Sequence, residues 1–223
     1  MISNDTKTPS SNPFAVLKYS IVIWLDDWTD WIIIGTLWLL SWIIVFLGPP
    51  ATFSLYYVAA ELRQGRAIGI SGFVQAGKKY FWKSWLWMLI SLIVMVVIIS
   101  NYQFYGRLNQ PWTEIIKGAM IFLGIVWIII QFYALPYLIF QVEQSLILAW
   151  KNAFLTVLAS PFHALVILSL SILIFALSLL LIVPLLLGAQ GLVAILGCVT
   201  IQDRIQAFGI HEREEERKRG KVS

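Results

Sequence analysis

The residue types most often used in catalysis and metal binding are sparse in this chain. It has two histidines, His163 and His211, and one cysteine, Cys198, among its 223 residues. These three side chains do not have the spacing of a metal-ligand set. No glycine-rich phosphate loop and no serine–histidine–acid combination accompanies them. We therefore predict no catalytic residue, no metal site and no cofactor, and we interpret Cys198 as a small buried hydrophobe.

Polar residues within or beside apolar segments are the remaining candidates. Glu61 and Glu143 lie near the ends of such segments. We interpret both as members of structural ion pairs rather than as proton carriers, although ionisable groups at such positions are often functional. Arg63 is the expected partner of Glu61, and a basic residue of another connector is the expected partner of Glu143.

Gln131 and Pro136 lie deeper, within one long apolar segment. Proline has no backbone N–H, so Pro136 leaves the carbonyl of Phe132 without its helical partner. Two interpretations remain open for this pair. Gln131 either forms a hydrogen bond to a neighbouring helix or, together with the freed carbonyl, lines a polar cavity.

The overall composition indicates which elements must position these residues. Hydrophobic residues make up 59% of the chain and charged residues only 13%, whereas a soluble domain has roughly 25% charged residues. The charges are clustered, which leaves apolar runs near the ~20 residues that cross a bilayer as a helix. We predict an all-α, multi-pass membrane helix bundle with interfacial amphipathic helices.

The predicted order of segments follows the apolar runs. Residues 1–13 form a disordered tail without signal-peptide features, residues 14–30 form an interfacial helix, and residues 203–223 form a charged cytoplasmic tail. The predicted transmembrane segments are 31–47, 50–62, 85–104, 113–140, 163–183 and 185–202, joined by cytoplasmic connectors 63–84 and 141–162. Pro184, Gly188 and Gly191 mark the break between the last two segments.

The second segment leaves the number of crossings open between six and five. Its 13 residues reach only about 20 Å as a helix, so residues 50–62 either cross or re-enter. With six crossings, all basic residues except Arg107 and Lys117, that is 14 of 16, lie on one side. With five, the split is 12 to 4. The positive-inside rule favours six crossings with both termini in the cytoplasm.

The sequence Gly48-Pro49-Pro50 separates the first two apolar segments. Proline is tolerated in the first turn of a helix, and glycine adopts almost any backbone geometry. We therefore predict a tight turn that ends one helix and starts the next. An alternative is that the second helix begins below the membrane surface and holds an anion there.

The two connectors are predicted to form helices along the membrane. In the first, Lys78, Lys79 and Lys83 alternate with aromatic residues, a pattern that suits contact with anionic lipid headgroups. In the second, polar residues fall near one face and apolar residues on the others. This helix contacts either lipid or a partner protein. In the last segment, small residues such as Gly188 and Gly191 predict close helix packing.

Two blocks of this sequence resemble a known family. The first is an apolar helix followed by Gly-Pro-Pro-Ala-Thr and SLYYVAAEL. The second is residues 133–161, with Pro136, Glu143, Lys151 and Asn152 among its matching polar and kink positions. Together they resemble the YesL-like membrane proteins of bacteria. The resemblance implies about five or six helices and an association with carbohydrate uptake. The chain departs from it at Gly35-Thr36, where an Asn is expected.

Three functions are compatible with these observations. The favoured one is a non-catalytic accessory or scaffold subunit of a bacterial membrane assembly, with anionic lipids and other membrane subunits as partners. The alternatives are a transporter component with a polar pathway near Gln131 and Pro136, and a lipid-associated assembly factor. The net charge of +4 reflects membrane topology, so nucleic-acid binding is not expected.

Overall fold

A computed structural model describes residues 12–108 and 110–207. Within these ranges all regular secondary structure is helical, as predicted. The helices are α1 Pro13–Asp26, α2 Trp28–Ile43, α3 Gly48–Arg63, α4 Gly69–Gly106, α5 Thr113–Phe140, α6 Leu146–Ala159, α7 Pro161–Leu181, α8 Val183–Leu186 and α9 Ala189–Ala207, with a 3-10 turn at Val45–Leu47. Most of the two predicted tails, residues 1–11 and 208–223, lies outside the described residues.

Three of these helices are long and apolar enough to cross a membrane. They are α4, α5 and α7, whose most apolar windows have mean hydropathies of 2.1, 2.2 and 2.9. Helices α2 and α6 are apolar but shorter. The structure therefore supports a bundle with several apolar helices, while the choice between six and five crossings stays a prediction.

Helices α3 and α9 form the centre of the bundle. Eleven residues of α3 are buried, among them Phe53, Tyr56 and Ala59. Helix α9 is buried along most of its length, and Cys198 on α9 donates to the carbonyl of Tyr56 on α3 at 3.6 Å. Small side chains on both helices permit this close approach. Cys198 is fully buried, in agreement with its interpretation as a small hydrophobe.

Helix α4 differs from the prediction, because the structure has one continuous helix where we expected an interfacial helix and a separate membrane segment from residue 85. It runs for 38 residues without a break. The change from basic to apolar composition near Trp85 suggested a boundary. However, no proline lies between Gly69 and Gly106, and a change in polarity alone does not end a helix.

The two halves of α4 have different neighbours. Its first half packs on α3, where the ring of Tyr80 lies 6.1 Å from that of Phe53. Its second half packs on α5, where Gln131 donates to Ser91 at 2.8 Å. The second half is otherwise exposed, with Ile93 61% and Val97 54% accessible. Helices α4 and α5 therefore form an apolar hairpin whose outer surface is largely uncovered by the described chain.

The chain bends twice between α7 and α9, in the region that contains Pro184 and Gly188. Helix α7 ends at Leu181, and Ile182 has a φ of 58°. The short helix α8 follows, and Gly188 then adopts a φ of 84° before α9 begins. A positive φ is readily adopted by glycine, so Gly188 is suited to the second of these two bends.

Candidate functional site

The Gly48-Pro49-Pro50 turn lies where the sequence places it, at the start of α3. All three residues are buried, and the prolines occupy the first turn of the helix. The position of Gly48 is sterically restricted, since an added Cβ would lie 2.7 Å from Cδ2 of Trp42. The turn is therefore a compact connection between packed helices, with glycine required by the neighbouring tryptophan ring.

A hydrogen bond fixes α2 against α3 close to this turn. Nε1 of Trp38 donates to Oγ1 of Thr52 at 3.1 Å, and that hydroxyl donates in turn to the carbonyl of Gly48 at 3.0 Å. The carbonyl of Gly48 lies in the first turn of α3. Thr52 thus links the indole of α2 to the beginning of α3, and the polar atoms at this end of α3 serve helix packing.

Glu61 forms an ion pair, but with a different residue from the one predicted. Its carboxylate accepts from Nε of Arg66 rather than from Arg63. Arg63 instead donates from Nη1 to the hydroxyl of Tyr19 at 2.7 Å, with its guanidinium 4.7 Å from the centre of that ring. Arg63 therefore attaches α1 to the end of α3, and the Glu61 ion pair closes the turn between α3 and α4.

Gln131 connects three helices. Its Nε2 donates to Oγ of Ser91 on α4 at 2.8 Å, and its Oε1 accepts from Nε1 of Trp150 on α6 at 3.0 Å. The ring of Trp150 also lies 5.9 Å from that of Trp127. Of the two interpretations, interhelical hydrogen bonding is the one observed, since both ends of the amide are engaged by neighbouring side chains.

Pro136 lies in the most buried part of α5. Residues 133 to 138 are all buried, and a Cβ added at Gly197 of α9 would lie 3.3 Å from Cγ of Pro136. One residue further on, the hydroxyl of Tyr137 is hydrogen-bonded to Oγ1 of Thr156 on α6 at 2.6 Å. This part of α5 is therefore a packing surface that α6 and α9 cover.

The second predicted block, around Glu143, Lys151 and Asn152, is only partly brought together. Glu143 is exposed and forms no ion pair with another described residue, contrary to the prediction. Lys151 is exposed on α6. Asn152 is half-buried on α6, and its carbonyl accepts from Oγ1 of Thr156. When the Gln141 amide is oriented to satisfy its neighbours, its oxygen accepts from Nδ2 of Asn152 at 3.1 Å. In that orientation Gln141, the residue after α5, contacts the middle of α6.

Buried polar residues near the end of α9 were missed by the sequence analysis. Asp203 and Arg204 were assigned to the charged tail, yet both are buried within α9. Nη1 of Arg204 donates to Oγ of Ser160 at 3.3 Å, at the junction of α6 and α7. The signal that could have found them is the apolar spacing of Cys198, Ile201 and Ile205, which continues the helix past residue 203.

A tight contact also surrounds Trp31, which is 1% exposed. A Cβ added at Gly191 would lie 2.8 Å from Cδ2 of the Trp31 ring, and one at Gly188 would lie 2.7 Å from the Trp31 carbonyl carbon. On the next turn of α2, the side-chain amide of Gln190 packs directly against Gly35. Gly35-Thr36 is where the sequence departs from the YesL-like pattern. Here the side-chain amide of Gln190 on α9 occupies the space beside the glycine.

The three lysines assigned to lipid contact lie together on the first half of α4. Lys78 and Lys79 are exposed, Lys83 is half-buried, and Trp82 beside them is 81% exposed. The ammonium of Lys79 lies 5.0 Å from the centre of the Tyr80 ring. We call Lys78, Lys79, Trp82 and Lys83 the basic face of α4.

One small cleft lies within the described bundle. A cleft of about 10 Å³ lies between the α1–α2 junction and the α3–α4 turn, lined in part by Asp27, Asp30 and Trp31. Such a volume is close to the minimum for one water molecule. In the described part of the chain, no group of three or more His, Cys, Asp or Glu side chains could hold a metal ion.

The family comparison concerns the part of the chain that contains the turn and the basic face. Residues 31–102 match the family described as "Protein of unknown function, DUF624". The match covers about a third of the 223 residues, from α2 to the second half of α4. It includes the first of the two blocks that resemble the YesL-like proteins. No curated protein and no solved structure matches the chain.

Proposed function

We propose that this chain is a multi-pass membrane protein of bacteria that acts without catalysis, as an accessory or scaffold subunit of a membrane assembly linked to carbohydrate uptake. The link to uptake rests on the YesL-like resemblance. The membrane location is supported by the three long apolar helices α4, α5 and α7 and by the low share of charged residues.

The observation that favours the accessory role over transport is how several interior polar groups are used. Gln131 is bonded at both ends of its amide, Tyr137 is bonded to Thr156, and Arg63 is bonded to Tyr19. Each contact joins two different helices. A solute moving through the bundle would lose its hydrogen bonds to water and would need free polar groups to replace them. Each polar group of the solute left without a hydrogen bond costs a few kcal/mol.

The subunit role is also supported by the outer surface of the bundle. Helix α6 exposes Ile147, Leu155 and Leu158 on the side away from α5, and the α4–α5 hairpin exposes further apolar residues. Lipid and other membrane helices both cover such faces. The test is mild extraction of the tagged protein from native membranes, followed by mass spectrometry of the intact complex. A defined heteromeric mass is expected, and a monomer carrying only lipid would contradict the proposal.

The runner-up is a transporter component, and it is tested separately. Purified protein in liposomes is assayed for sugar and ion flux, with Gln131→Leu and the exposed-site control Leu92→Ala. On the accessory proposal, neither the unmodified protein nor the variants produce saturable flux. Saturable flux that Gln131→Leu abolishes and Leu92→Ala preserves would replace the accessory role by transport. A third role, as a lipid-associated assembly factor, predicts that the heteromeric complex forms only transiently during assembly of its partners.

A further inference from the structure

Helix α4 is too long to lie entirely within a bilayer core. Its 38 residues extend for about 57 Å at 1.5 Å per residue, whereas the hydrocarbon core is about 30 Å thick. Between Lys83 and Arg107 the helix carries no Asp, Glu, Lys or Arg. If the chain is embedded as proposed above, the embedded part of α4 lies between these two residues.

Aromatic residues define the two ends of this embedded part. Trp82 and Trp85 lie at one end, and Phe104 and Tyr105 at the other. Trp85 and Tyr105 are 20 residues apart, which corresponds to about 30 Å along a helix. Aromatic side chains are enriched at both membrane–water interfaces, so this spacing matches the thickness of the core.

We propose that α4 leaves the hydrocarbon at about Lys83, and that the basic face of α4 binds the headgroups of anionic phospholipids. Lys78 lies five residues beyond Lys83, or about 7.5 Å, which is close to the depth of one headgroup layer. Lys78 and Trp82 are four residues apart and therefore share one side of the helix. The carboxylate of Glu61, on the neighbouring helix α3, is already paired with Arg66.

The same geometry determines the depth of α3. The ammonium of Lys79 lies 5.6 Å from the centre of the Tyr57 ring, and a Cβ at Gly77 would lie 3.0 Å from Oγ of Ser54. The middle of α3 is thus level with exposed lysines. Charged side chains facing lipid at the bilayer centre are costly, so α3 lies at headgroup depth and does not cross. On this proposal, residues 50–62 do not cross the membrane.

The depth of α4 in the membrane is measured first. This measurement distinguishes a failure of the present proposal from a failure of the membrane location on which it rests. Single cysteines for spin labels replace Val74 or Leu92, both exposed on α4, in a Cys198→Ser background within neutral phosphatidylcholine nanodiscs. Oxygen and nickel-chelate accessibility then report depth. We expect Leu92 to be in hydrocarbon and Val74 outside it. Val74 in hydrocarbon would overturn the present proposal alone, whereas an aqueous Leu92 would overturn both.

Headgroup binding is measured by native mass spectrometry, as competition between phosphatidylglycerol and phosphatidylcholine for the purified protein. Each lysine near an anionic surface contributes about 1 kcal/mol, or roughly fivefold in preference. The variant K78Q/K79Q/K83Q should therefore lose roughly a hundredfold, while K78R/K79R/K83R keeps the preference. The far-end control R107Q/K117Q should also keep it. An unchanged preference in the triple glutamine variant, or an equal loss in the far-end control, would refute the proposal.

Discussion

The contact between Gly191 and Trp31 leads to a prediction whose size can be derived from the structure. In Gly191→Ala the new Cβ would lie 2.8 Å from Cδ2 of Trp31 and closer still to Cε3, whereas carbon atoms in contact are separated by about 3.5–4.0 Å. Either the ring or α9 must move by about an ångström. Because Trp31 is 1% exposed, the ring has little free space to move into.

Two opposing effects set the expected magnitude. Overpacking of a filled core costs about 1–3 kcal/mol, and the clash here falls at the upper end of the range because it involves a rigid ring. Alanine favours a helix over glycine by about 1 kcal/mol. We therefore expect Gly191→Ala to lower the free energy of unfolding by about 1–2 kcal/mol overall.

The assay is equilibrium unfolding in mixed micelles with increasing denaturing detergent. The matched control is Gly118→Ala on α5, where an added Cβ has no atom of the described residues within 4 Å. That change should stabilise the protein by up to about 1 kcal/mol through helix propensity alone. Adding Trp31→Leu to Gly191→Ala should make the two changes less than additive, because the smaller side chain removes the clash. If Gly191→Ala is as stable as Gly118→Ala, the tight contact with Trp31 does not exist.

Two further predictions concern the helix ends. Replacing Pro49 and Pro50 by alanine should lower the thermal midpoint in detergent, because α2 can then extend through the turn; an unchanged midpoint would show that packing alone fixes the start of α3. Burial and the carboxylates of Asp30 and Asp26 raise the pKa of Asp27 in the folded protein. The folded state therefore binds this proton more tightly than the unfolded state does. The resulting contribution to the free energy of unfolding is present at low pH and is lost as the pH rises through the raised pKa. Asp27→Asn should therefore be slightly more stable than the unmodified protein at pH 7 and equal to it near pH 3; no difference at pH 7 would contradict the repulsion among these acids.

Helix ends set by backbone chemistry were predictable from the sequence. Pro49 and Pro50 lack the N–H that a helix interior requires, so α3 starts beside them whatever surrounds it. Gly188 likewise marks the bend before α9, where the backbone has a φ of 84°. Both features depend on one or two residues and their local geometry, which the sequence displays directly.

Contacts that form across a turn were harder to predict from the sequence. Arg63 was the expected partner of Glu61 because it is close in sequence, but residues two apart on a helix do not face each other. Gly65, with a φ of 77°, turns the chain back so that Arg66 reaches the carboxylate. The periodicity of a helix would have excluded Arg63 as the partner of Glu61. The choice of Arg66 requires the geometry of the turn, which the sequence does not give.

Interhelical partners could not be chosen from the sequence, since they depend on which helices become neighbours. Gln131 was expected to bond a neighbouring helix or line a cavity, but nothing in the sequence selected Ser91 or Trp150. The amide of Gln190 beside Gly35 is a similar case. The glycine is a departure from the family pattern when α2 is considered alone, and it becomes a requirement of packing once α9 is placed against it.

The distribution of hydrophobicity between the inside and the outside of the bundle supports lipid as its solvent. The most apolar window of α4 has only 6% of its residues buried, and that of α7 only 28%. The less apolar helix α9, with Gln190, Asp203 and Arg204 buried in it, lies in the centre. A water-soluble bundle would have the opposite arrangement, because burying its most apolar helices is the main source of its stability. In lipid, apolar surface gains nothing from burial, so small and polar residues that allow close contact and hydrogen bonding are placed inside. Gln131, bonded to Ser91 on α4 and to Trp150 on α6, shows such a polar side chain joining three helices.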